Sequence, residues 1–218
     1  MRIGVPTEIK DNESRVALAA SGVMELTSRG HEVFVQSGAG EGSFISDEDY
    51  AAAGATIVPS ADEAWANAEL VLKVKEPLAD EYHLLRDDMT LFTYLHLAAD
   101  RPQAEALVRA RTTALAYETV QLPDGLLPLL YPMSEVAGSL APLVGAQMLM
   151  GPPGGRGVLM GGVGGVHNSK VVIIGAGTAG QNAANIAAGM GANVVILDTD
   201  LKKLRATFWR FSNLVQNV

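Results

Sequence analysis

Residues 170–200 read KVVIIGAGTAGQNAANIAAGMGANVVILDTD, and this stretch is the most informative part of the chain. An apolar run, Val171–Ile174, leads directly into a G-x-G-x-x-G pattern at Gly175, Gly177 and Gly180, and a helix-forming stretch follows. A strand, a glycine-rich turn and a helix in this order form the context in which the pattern binds a dinucleotide. The alternative, glycines that merely tighten a βα turn in another α/β domain, is disfavoured because a second strand and an acid follow at the expected places. The sequence therefore predicts a Rossmann-type βαβ unit.

The residues of the turn have separate physical roles in such a unit. Gly175 permits the tight turn, Gly177 lets the backbone approach a diphosphate, and Gly180 lets the helix pack closely on the strand. Thr178 and Ala179 complete the turn at the start of the helix, where backbone N–H groups attract an anion. We expect these five residues to bind the cofactor.

An acid follows the second apolar run, Val194–Leu197. Asp198 lies roughly 20 residues after Gly175, the spacing at which a carboxylate accepts a hydrogen bond from the ribose 2′-OH. The same carboxylate would repel a 2′-phosphate. The sequence therefore predicts NAD as the cofactor in preference to NADP.

Composition narrows the classes of partner and chemistry that the chain could have. The chain has 218 residues, of which 48% are hydrophobic, and a net charge of −8 without blocks of like charge, so neither a nucleic acid nor a membrane is an expected partner. The absence of cysteine excludes disulfides and thiol chemistry. The spacing of the four histidines and the acids does not resemble a metal site. The charged N-terminus lacks a secretory signal, and we expect a soluble, cytoplasmic protein.

The pattern along the chain predicts two α/β domains. Residues 1–132 alternate strand-like and helix-like runs, as in a parallel sheet, and we expect a substrate-binding domain there. Residues 133–218 form the predicted dinucleotide-binding domain, which opens with a long helix, Ser134–Met150. The predicted strands of the first domain are Arg2–Val5, Glu32–Gln36, Thr56–Val58, Leu70–Val74, Thr90–Leu95 and Leu115–Thr119. Its predicted helices are Ala17–Arg29, Asp47–Ala53, Ala61–Ala68, Asp80–Arg86 and Pro102–Arg111.

The second domain reads as an incomplete Rossmann fold. A single βαβ unit, with Val194–Leu197 left as an edge strand, buries too little apolar surface to offset its conformational entropy. Either the chain is a fragment of a longer protein or partner chains complete it, and we expect the fragment.

Several side chains of the first domain could carry chemistry, and each has a structural alternative. Arg15 could clamp a carboxylate, or be a solvated surface arginine. Strand alternation places Lys73 and Lys75 on one face near the carboxyl end of a strand, where ligands of α/β sheets bind. The alternative is that the two lysines simply lie on an edge strand without a functional role. His96 suits proton exchange, although a hydrogen-bonded core histidine is the commoner case. Ser134 could cap the long helix and also contact the cofactor.

Several motifs along the whole chain together resemble the bacterial alanine dehydrogenase family. They read, in order, MRIGVPTEIKDNESRVAL, HEVFVQSGAGEGSFISDEDYAAAGA, LKVKEP, LFTYLHLAAD, AYETVQ, PMSEVAG, GGRGVLMGGV and VVIIGAGTAG. The resemblance implies an NAD-dependent enzyme that interconverts L-alanine with pyruvate and ammonium. It also implies a homo-oligomer, since the family is commonly hexameric.

The resemblance also implies roles for individual residues. Arg15 and Lys75 would hold the carboxylate and carbonyl oxygen of the substrate. His96 would be the acid/base residue, and Lys75 would act with it in catalysis by polarising the carbonyl. Met133 and Ser134 would lie between the substrate and the nicotinamide, with Met133 binding the substrate and Ser134 the cofactor. The resembled family continues for roughly another domain, so we expect the 218-residue chain alone to be inactive or barely active.

Two alternatives stay open at this point. The NAD-binding component of a proton-translocating transhydrogenase shares several of the N-terminal motifs, although it looks less similar around TYLHLAAD. A non-catalytic NAD-binding or oligomerisation module is the other alternative, and it would bind the nucleotide without turnover.

Overall fold

The computed structural model describes residues 1–151, 154–211 and 214–218. It separates into two compact units, Met1–Leu127 and Pro128–Val218. The sequence places its division a few residues later, after residue 132. The residues that follow Leu127 lead directly into the first helix of the second unit and belong to that unit.

The first unit is built on a six-stranded, wholly parallel sheet. Its strands are β1 (Arg2–Val5), β2 (Glu32–Gln36), β3 (Thr56–Val58), β4 (Leu70–Leu72), β5 (Thr90–Thr93) and β6 (Thr113–Ala116), with α1 (Ala20–Ser28), α2 (Asp47–Ala52), α3 (Ala61–Ala66) and α4 (Arg101–Ala110) among them. The predicted α/β class with a parallel sheet is confirmed, and the first three strands have their predicted bounds.

The strand order of this sheet creates a switch point in its centre. The order is β3-β2-β1-β4-β5-β6, so the chain moves outward from β1, returns to β1's other side at β4, and then moves outward again. Loops that follow β1 and β4 therefore separate to opposite faces of the sheet. In open α/β sheets the crevice beyond the carboxyl ends of such strands is where ligands bind.

Apolar side chains cover both faces of the sheet and fix the register of its strands. One cluster contains Val5, Val35 and Tyr50, and a second contains Trp65 and Leu91, each of them fully buried. Burial of each such side chain stabilises the fold by roughly 1.5–3 kcal/mol. The central strands are thus firmly held, and the loops beyond them start from fixed points.

Strands β4 and β5 end two residues earlier than the sequence predicts. The N–H of Val74 donates to Oε1 of Glu8 (2.5 Å), and the N–H of Leu95 donates to Oε1 of Glu118 (3.1 Å). Each side-chain carboxylate thus accepts a backbone N–H that a longer strand would have donated to a neighbouring strand. Lys73 lies in the loop that follows β4, and His96 lies in the loop that follows β5.

The structure also revises one predicted strand and one predicted helix of the first unit. The strand predicted at Leu115–Thr119 is Thr113–Ala116, because residues Tyr117–Thr119 turn into a 3₁₀ helix. The helix predicted at Asp80–Arg86 is the 3₁₀ helix Ala79–Leu84.

The second unit contains a three-stranded parallel sheet in its described part, in the order β7-β8-β9. The strands are β7 (Lys170–Ile174), β8 (Asn193–Leu197) and β9 (Val215–Asn217), and the helices are α5 (Tyr131–Met150), α6 (Thr178–Gly189) and α7 (Leu201–Phe211). The Rossmann-type order of strand, helix, strand is confirmed. The prediction that Val194–Leu197 is an edge strand is wrong, because β9 pairs with its far side. The buried Phe211 anchors the connecting helix in the core.

Helix α5 begins earlier than the sequence predicts. It starts at Tyr131, with Pro132 in its first turn, where the missing N–H of proline has no cost. Ser134 therefore does not cap the helix; it lies inside the first turn, where its N–H and hydroxyl both approach the carbonyl of Leu130. Within the described residues, none of the helices is long and apolar enough to cross a membrane.

Candidate functional site

Loops at the carboxyl edge of the first sheet carry three of the predicted site residues. Arg15 lies in the loop after β1, Lys75 in the loop after β4, and His96 in the loop after β5. The carboxylate of Glu13 interacts electrostatically with both Arg15 and Lys75, and Arg15 interacts with Tyr94, two residues before His96. The fold thus collects positive charge and an imidazole at the end of the sheet that contains the switch point.

Arg15 is oriented by a neighbouring carboxylate. Its Nε donates to Oε1 of Glu13 (2.8 Å) and its Nη2 donates to Oε2 (2.6 Å), so the pair is bidentate. The hydrogen bond from Arg15 lowers the pKa of Glu13 and the same bond raises the pKa of Arg15. The predicted start of the first helix at Ala17 is wrong, since α1 begins at Ala20 and Arg15 lies in the loop before it.

Lys73 and Lys75 have different environments, contrary to the prediction that they share a face. The Nζ of Lys73 is buried and lies 2.8 Å from Oε1 of Glu81 and 3.3 Å from Oε2 of Glu8. The edge-position alternative is also wrong, because β4 is a central strand. Lys75 is only half-buried, and its N–H lies 3.3 Å from the carboxylate of Glu8. Lys73 is thus a structural cation, whereas Lys75 remains a candidate for ligand binding.

Glu8 connects this buried ion group to the loop that carries Lys75. Its side chain is 2% exposed, and it accepts N–H groups from both Val74 and Lys75. Burial raises the pKa of Glu8, and the ammonium of Lys73 and the two backbone donors only partly oppose that rise. The carboxylate fixes the path of the chain on which Lys75 stands.

His96 is held at its backbone in an unusual conformation. Its φ of 49° and ψ of 34° are left-handed, which costs a non-glycine residue of order 1–3 kcal/mol. The carboxylate of Glu118 accepts the N–H of His96 (2.7 Å) and the N–H of Leu95 (3.1 Å). These contacts offset the strain and turn the imidazole away from the core. The side chain of His96 is 48% exposed. The alternative of a core histidine is therefore wrong.

The imidazole ring of His96 has its own carboxylate partner. Nδ1 of His96 lies 3.2 Å from Oε2 of Glu76, and Oε1 of Glu76 contacts Nζ of Lys10. Burial disfavours the Glu76 carboxylate, but the donors around it, Lys10 first among them, outweigh this effect and lower the pKa of Glu76. The ring of Tyr94 stacks on that of His96 with centroids 6.0 Å apart.

The acidic residues of the site are the ones that sequence reasoning missed. They follow the strands at the same edge as the cations: Glu8 and Glu13 after β1, Glu76 after β4 and Glu118 after β6. Glu13 and Glu76 lie within two residues of Arg15 and Lys75, and this closeness was the available signal for these two acids. Each of them orients a cation, an imidazole or a backbone amide.

The second unit arranges its glycine turn as the motif requires. Gly175 has a left-handed φ of 103°, and a Cβ on Gly180 would lie 1.8 Å from the carbonyl oxygen of Gly175. A Cβ on Gly177, in contrast, would meet no described heavy atom within 4 Å. Gly180 is thus needed for the helix to approach the strand, and Gly177 borders open space at the start of α6. The diphosphate of a dinucleotide fits this arrangement of a close turn, a helix start and free room.

Asp198 lies directly beyond β8, beside the glycine turn. Its Oδ1 accepts the N–H of Asp200 (2.8 Å) and its Oδ2 accepts the N–H of Ala176 (2.7 Å), and these two bonds lower its pKa. Asp198 also lines an open groove of about 420 Å³ with Gly175 and Thr199. A carboxylate oxygen has two acceptor positions, so each oxygen can bond a hydroxyl in addition to its amide.

Helix α5 crosses the start of α6 at close range. A Cβ on Gly138 would lie 2.2 Å from the carbonyl oxygen of Ala179, so only glycine permits the crossing. Ser134 lies one turn earlier on the same face of α5, and the half-buried Met133 precedes it. Thr178 is the first residue of α6. Sequence reasoning missed Gly138, although PMSEVAG was singled out as a motif.

Two family models match the chain and together cover most of it. The model described as alanine dehydrogenase/PNT, N-terminal domain, matches residues 4–137, and the model described as alanine dehydrogenase/PNT, C-terminal domain, matches residues 141–214.

Curated relatives agree with the family models. Alanine dehydrogenase of Mycobacterium tuberculosis is 63% identical over 205 residues, covering 94% of this chain and 55% of the relative. Alanine dehydrogenase of Staphylococcus epidermidis is 51% identical over 218 residues, covering all of this chain and 58% of the relative. The chain thus spans less than two thirds of the length of these relatives.

Solved structures agree as well. An L-alanine dehydrogenase structure matches the whole chain with a TM-score of 0.93 at 51% identity, over 60% of its own length. A transhydrogenase from Sinorhizobium meliloti matches with a TM-score of 0.81 at 27% identity, over 64% of its own length. On the extent of the family models and the identity of these relatives, the chain belongs to the alanine dehydrogenase/PNT family.

Proposed function

We propose that this chain carries substrate-binding, proton-transfer and cofactor-binding groups for the NAD-dependent interconversion of L-alanine with pyruvate and ammonium. The observation that carries the proposal is the set of loops in which Arg15, Lys75 and His96 follow three neighbouring strands at the carboxyl edge of one sheet. A 2-oxo acid needs a cation for its carboxylate, a donor for its carbonyl oxygen and a group that exchanges protons. These three side chains are of the types required.

Arg15 and Lys75 are the proposed anchors of the substrate. A guanidinium binds a carboxylate through two parallel hydrogen bonds, and an ammonium donates to a carbonyl oxygen as a compact charge. Glu13 keeps Arg15 in a defined orientation, and Glu8 fixes the backbone of Lys75. The guanidinium of Arg15 is therefore preorganised and the backbone of Lys75 is fixed, which reduces the entropy that binding must offset.

His96 is the proposed acid and base. When ammonia adds to the carbonyl carbon of pyruvate, the oxygen leaves as water and must receive protons, and an imidazole is suited to supply them near neutral pH. In the direction of alanine oxidation the same ring takes the protons back. The side chain of His96 is exposed enough to reach a ligand.

The second unit provides the proposed NAD site. Gly175, Gly177 and Gly180, with Thr178 and Ala179, would hold the diphosphate, while Asp198 would accept a ribose hydroxyl. Ser134 and Met133 would lie toward the nicotinamide, as the family resemblance implies. Bound NAD supplies the hydride acceptor for alanine oxidation.

A second candidate function has a specific observation in its favour. The match to a transhydrogenase at a TM-score of 0.81 allows the chain to be an NAD-binding component that acts on nucleotides alone. Such a component has no need for a site that binds a 2-oxo acid. The pair formed by His96 and Glu76 favours the amino-acid reaction, because it equips an exposed ring for proton transfer.

Pyruvate binding to the 218-residue chain separates the candidates. We expect saturable binding in a calorimetric or NMR titration, with amide shifts near Arg15, Lys75 and His96. Arg15→Ala should weaken binding at least about tenfold, since a hydrogen bond to a charged group contributes roughly 1.5–3 kcal/mol.

Arg109→Ala is the matched control, because it removes the same charge from the exposed end of α4. It should leave the affinity for pyruvate unchanged. Binding of NAD without binding of pyruvate would favour the transhydrogenase component or a non-catalytic module. Equal affinities for wild type and Arg15→Ala would contradict the proposed anchor.

A further inference from the structure

The ring of His96 is in contact with the carboxylate of Glu76, a buried residue with no direct contact to the substrate in the proposed reaction. Oε2 of Glu76 lies 3.2 Å from Nδ1 of His96, and its Oε1 is bound by Nζ of Lys10. The side chain of Glu76 is only 10% exposed, whereas that of His96 is 48% exposed. An inner carboxylate therefore meets one nitrogen of an outer ring.

We propose that Glu76, held by Lys10, is a positioning residue that keeps the proton of neutral His96 on Nδ1 and so presents Nε2 as the atom that exchanges protons with the substrate. The inference rests on the proposed function, because it deepens the role given there to His96. It gives Glu76 and Lys10 a role that their positions in the sequence do not reveal.

The ionised carboxylate of Glu76 limits which nitrogen of His96 can carry the proton. An ionised carboxylate only accepts hydrogen bonds, and a neutral imidazole has one donor and one acceptor nitrogen. Lys10 and the other donors lower the pKa of Glu76, so that it stays ionised throughout the neutral range. Nδ1 must then carry the proton to bond Glu76, and Nε2 keeps its lone pair.

Two further contacts restrict the ring from other directions. Glu118 accepts the backbone N–H of His96 and thereby sets the left-handed conformation from which the side chain leaves the chain. The ring of Tyr94 stacks against the imidazole at an interplanar angle of 26°. With its backbone, face and Nδ1 edge all in contact, the ring can present only the opposite edge, which carries Nε2.

The tautomer of His96 is directly measurable. We would label the histidines of the 218-residue chain with ¹⁵N and record long-range ¹H–¹⁵N spectra of the imidazoles at about pH 8.5, where a free imidazole is neutral. His96→Asn assigns the signal. In wild type we expect Nδ1–H to exceed Nε2–H by about tenfold, a ratio that a charge-assisted hydrogen bond supports.

Glu76→Gln tests the cause of that ratio. An amide can accept from Nδ1–H or donate to an unprotonated Nδ1, so the ratio should fall to within about twofold of unity. Glu76→Asp, which retains an acceptor-only group, should restore an excess of Nδ1–H. A residue that only stabilised the fold would not change the tautomer of a ring whose amide spectrum is preserved.

Asp62→Asn provides the matched control. Asp62 lies 3.8 Å from Nε2 of His83 on the exposed surface, so the variant removes a carboxylate from a different histidine. The His96 signal should be unchanged in this variant. A change of the His96 tautomer in Asp62→Asn as large as that in Glu76→Gln would contradict the assignment to Glu76.

The outcome is decided in wild type even where a variant does not fold. A predominant Nε2–H tautomer of wild-type His96 overturns the inference. The measurement needs no substrate, so it is independent of the proposed reaction. If His96 carries its proton on Nδ1 but the chain does not bind pyruvate, only the proposed function is contradicted. If the chain binds pyruvate but His96 carries its proton on Nε2, only the role of Glu76 is contradicted.

Discussion

Gly177 and Gly180 give opposite predictions although both are glycines of one motif. At Gly180 a methyl group would lie 1.8 Å from the carbonyl oxygen of Gly175, far inside the ordinary carbon–oxygen distance of roughly 3.3 Å. At Gly177 a methyl group meets no described atom within 4 Å, and φ of −75° suits alanine. Gly180 is therefore required by the fold, whereas Gly177 is required only by the ligand.

The magnitudes follow from these distances. Gly180→Ala should destabilise the second unit by about 2–3 kcal/mol, because backbone must move to admit the methyl group. Gly177→Ala should cost less than about 1 kcal/mol, the usual preference for glycine over alanine at a helix N-cap. It should nevertheless weaken NAD binding at least about tenfold, because the methyl group moves the diphosphate away from the N–H groups that open α6.

Two assays on the purified chain check the pair. Urea unfolding followed by circular dichroism gives the stability of each variant, and NAD titration by calorimetry gives Kd. Wild-type Kd for NAD in a folded Gly177→Ala variant would refute the placement of the diphosphate. Wild-type stability of Gly180→Ala would refute the close approach of helix and strand.

The remaining predictions concern strain, cofactor choice and pH. Phe44 is 98% exposed at a left-handed φ of 58°. Phe44→Gly should therefore raise the free energy of unfolding by about 0.5–1 kcal/mol, whereas Phe44→Ala should not. Equal urea midpoints for the two variants would contradict this. Asp198→Asn should reduce the preference for NAD over NADP about tenfold in paired titrations, and an unchanged ratio would argue against a ribose contact. Because Arg15 lowers the pKa of Glu13, the folded state gains stability from this carboxylate above pH 4.5 and loses it as the pH falls through the lowered pKa. The Tm advantage of wild type over Glu13→Gln should therefore shrink on acidification, and a gap independent of pH would contradict the coupling.

Features set by neighbouring residues could be predicted from the sequence. The apolar runs of β1, β2 and β3 and the spacing of Gly175, Gly177 and Gly180 are local patterns with one favourable structural solution. The observed strands, the left-handed Gly175 and the tight contact at Gly180 have the forms these patterns require.

Features set by distant residues could not be predicted. Glu8 and Val74 are far apart in the chain and meet only because β1 and β4 are adjacent in the sheet. The same applies to Glu118, whose contact with His96 depends on the pairing of β5 and β6. A side-chain carboxylate that ends a strand has no local signature, and the predicted strands were therefore too long.

The start of α5 and the presence of β9 were missed for other reasons. Ser134 is a good capping residue, but Pro132 is equally suited to the first turn of a helix and defines the start that the structure adopts. Strand β9 is only three residues long, and its pattern is too short to be recognised without the β8 edge beside it.

Binding of NAD at the start of α6 can be measured by an amide-resolved NMR titration of the ¹⁵N-labelled chain. We expect saturable shifts centred on Gly175, Gly177, Gly180 and Asp198, with NADP bound about tenfold more weakly. No saturable shift, or a cluster of shifted amides away from the start of α6, would contradict this expectation.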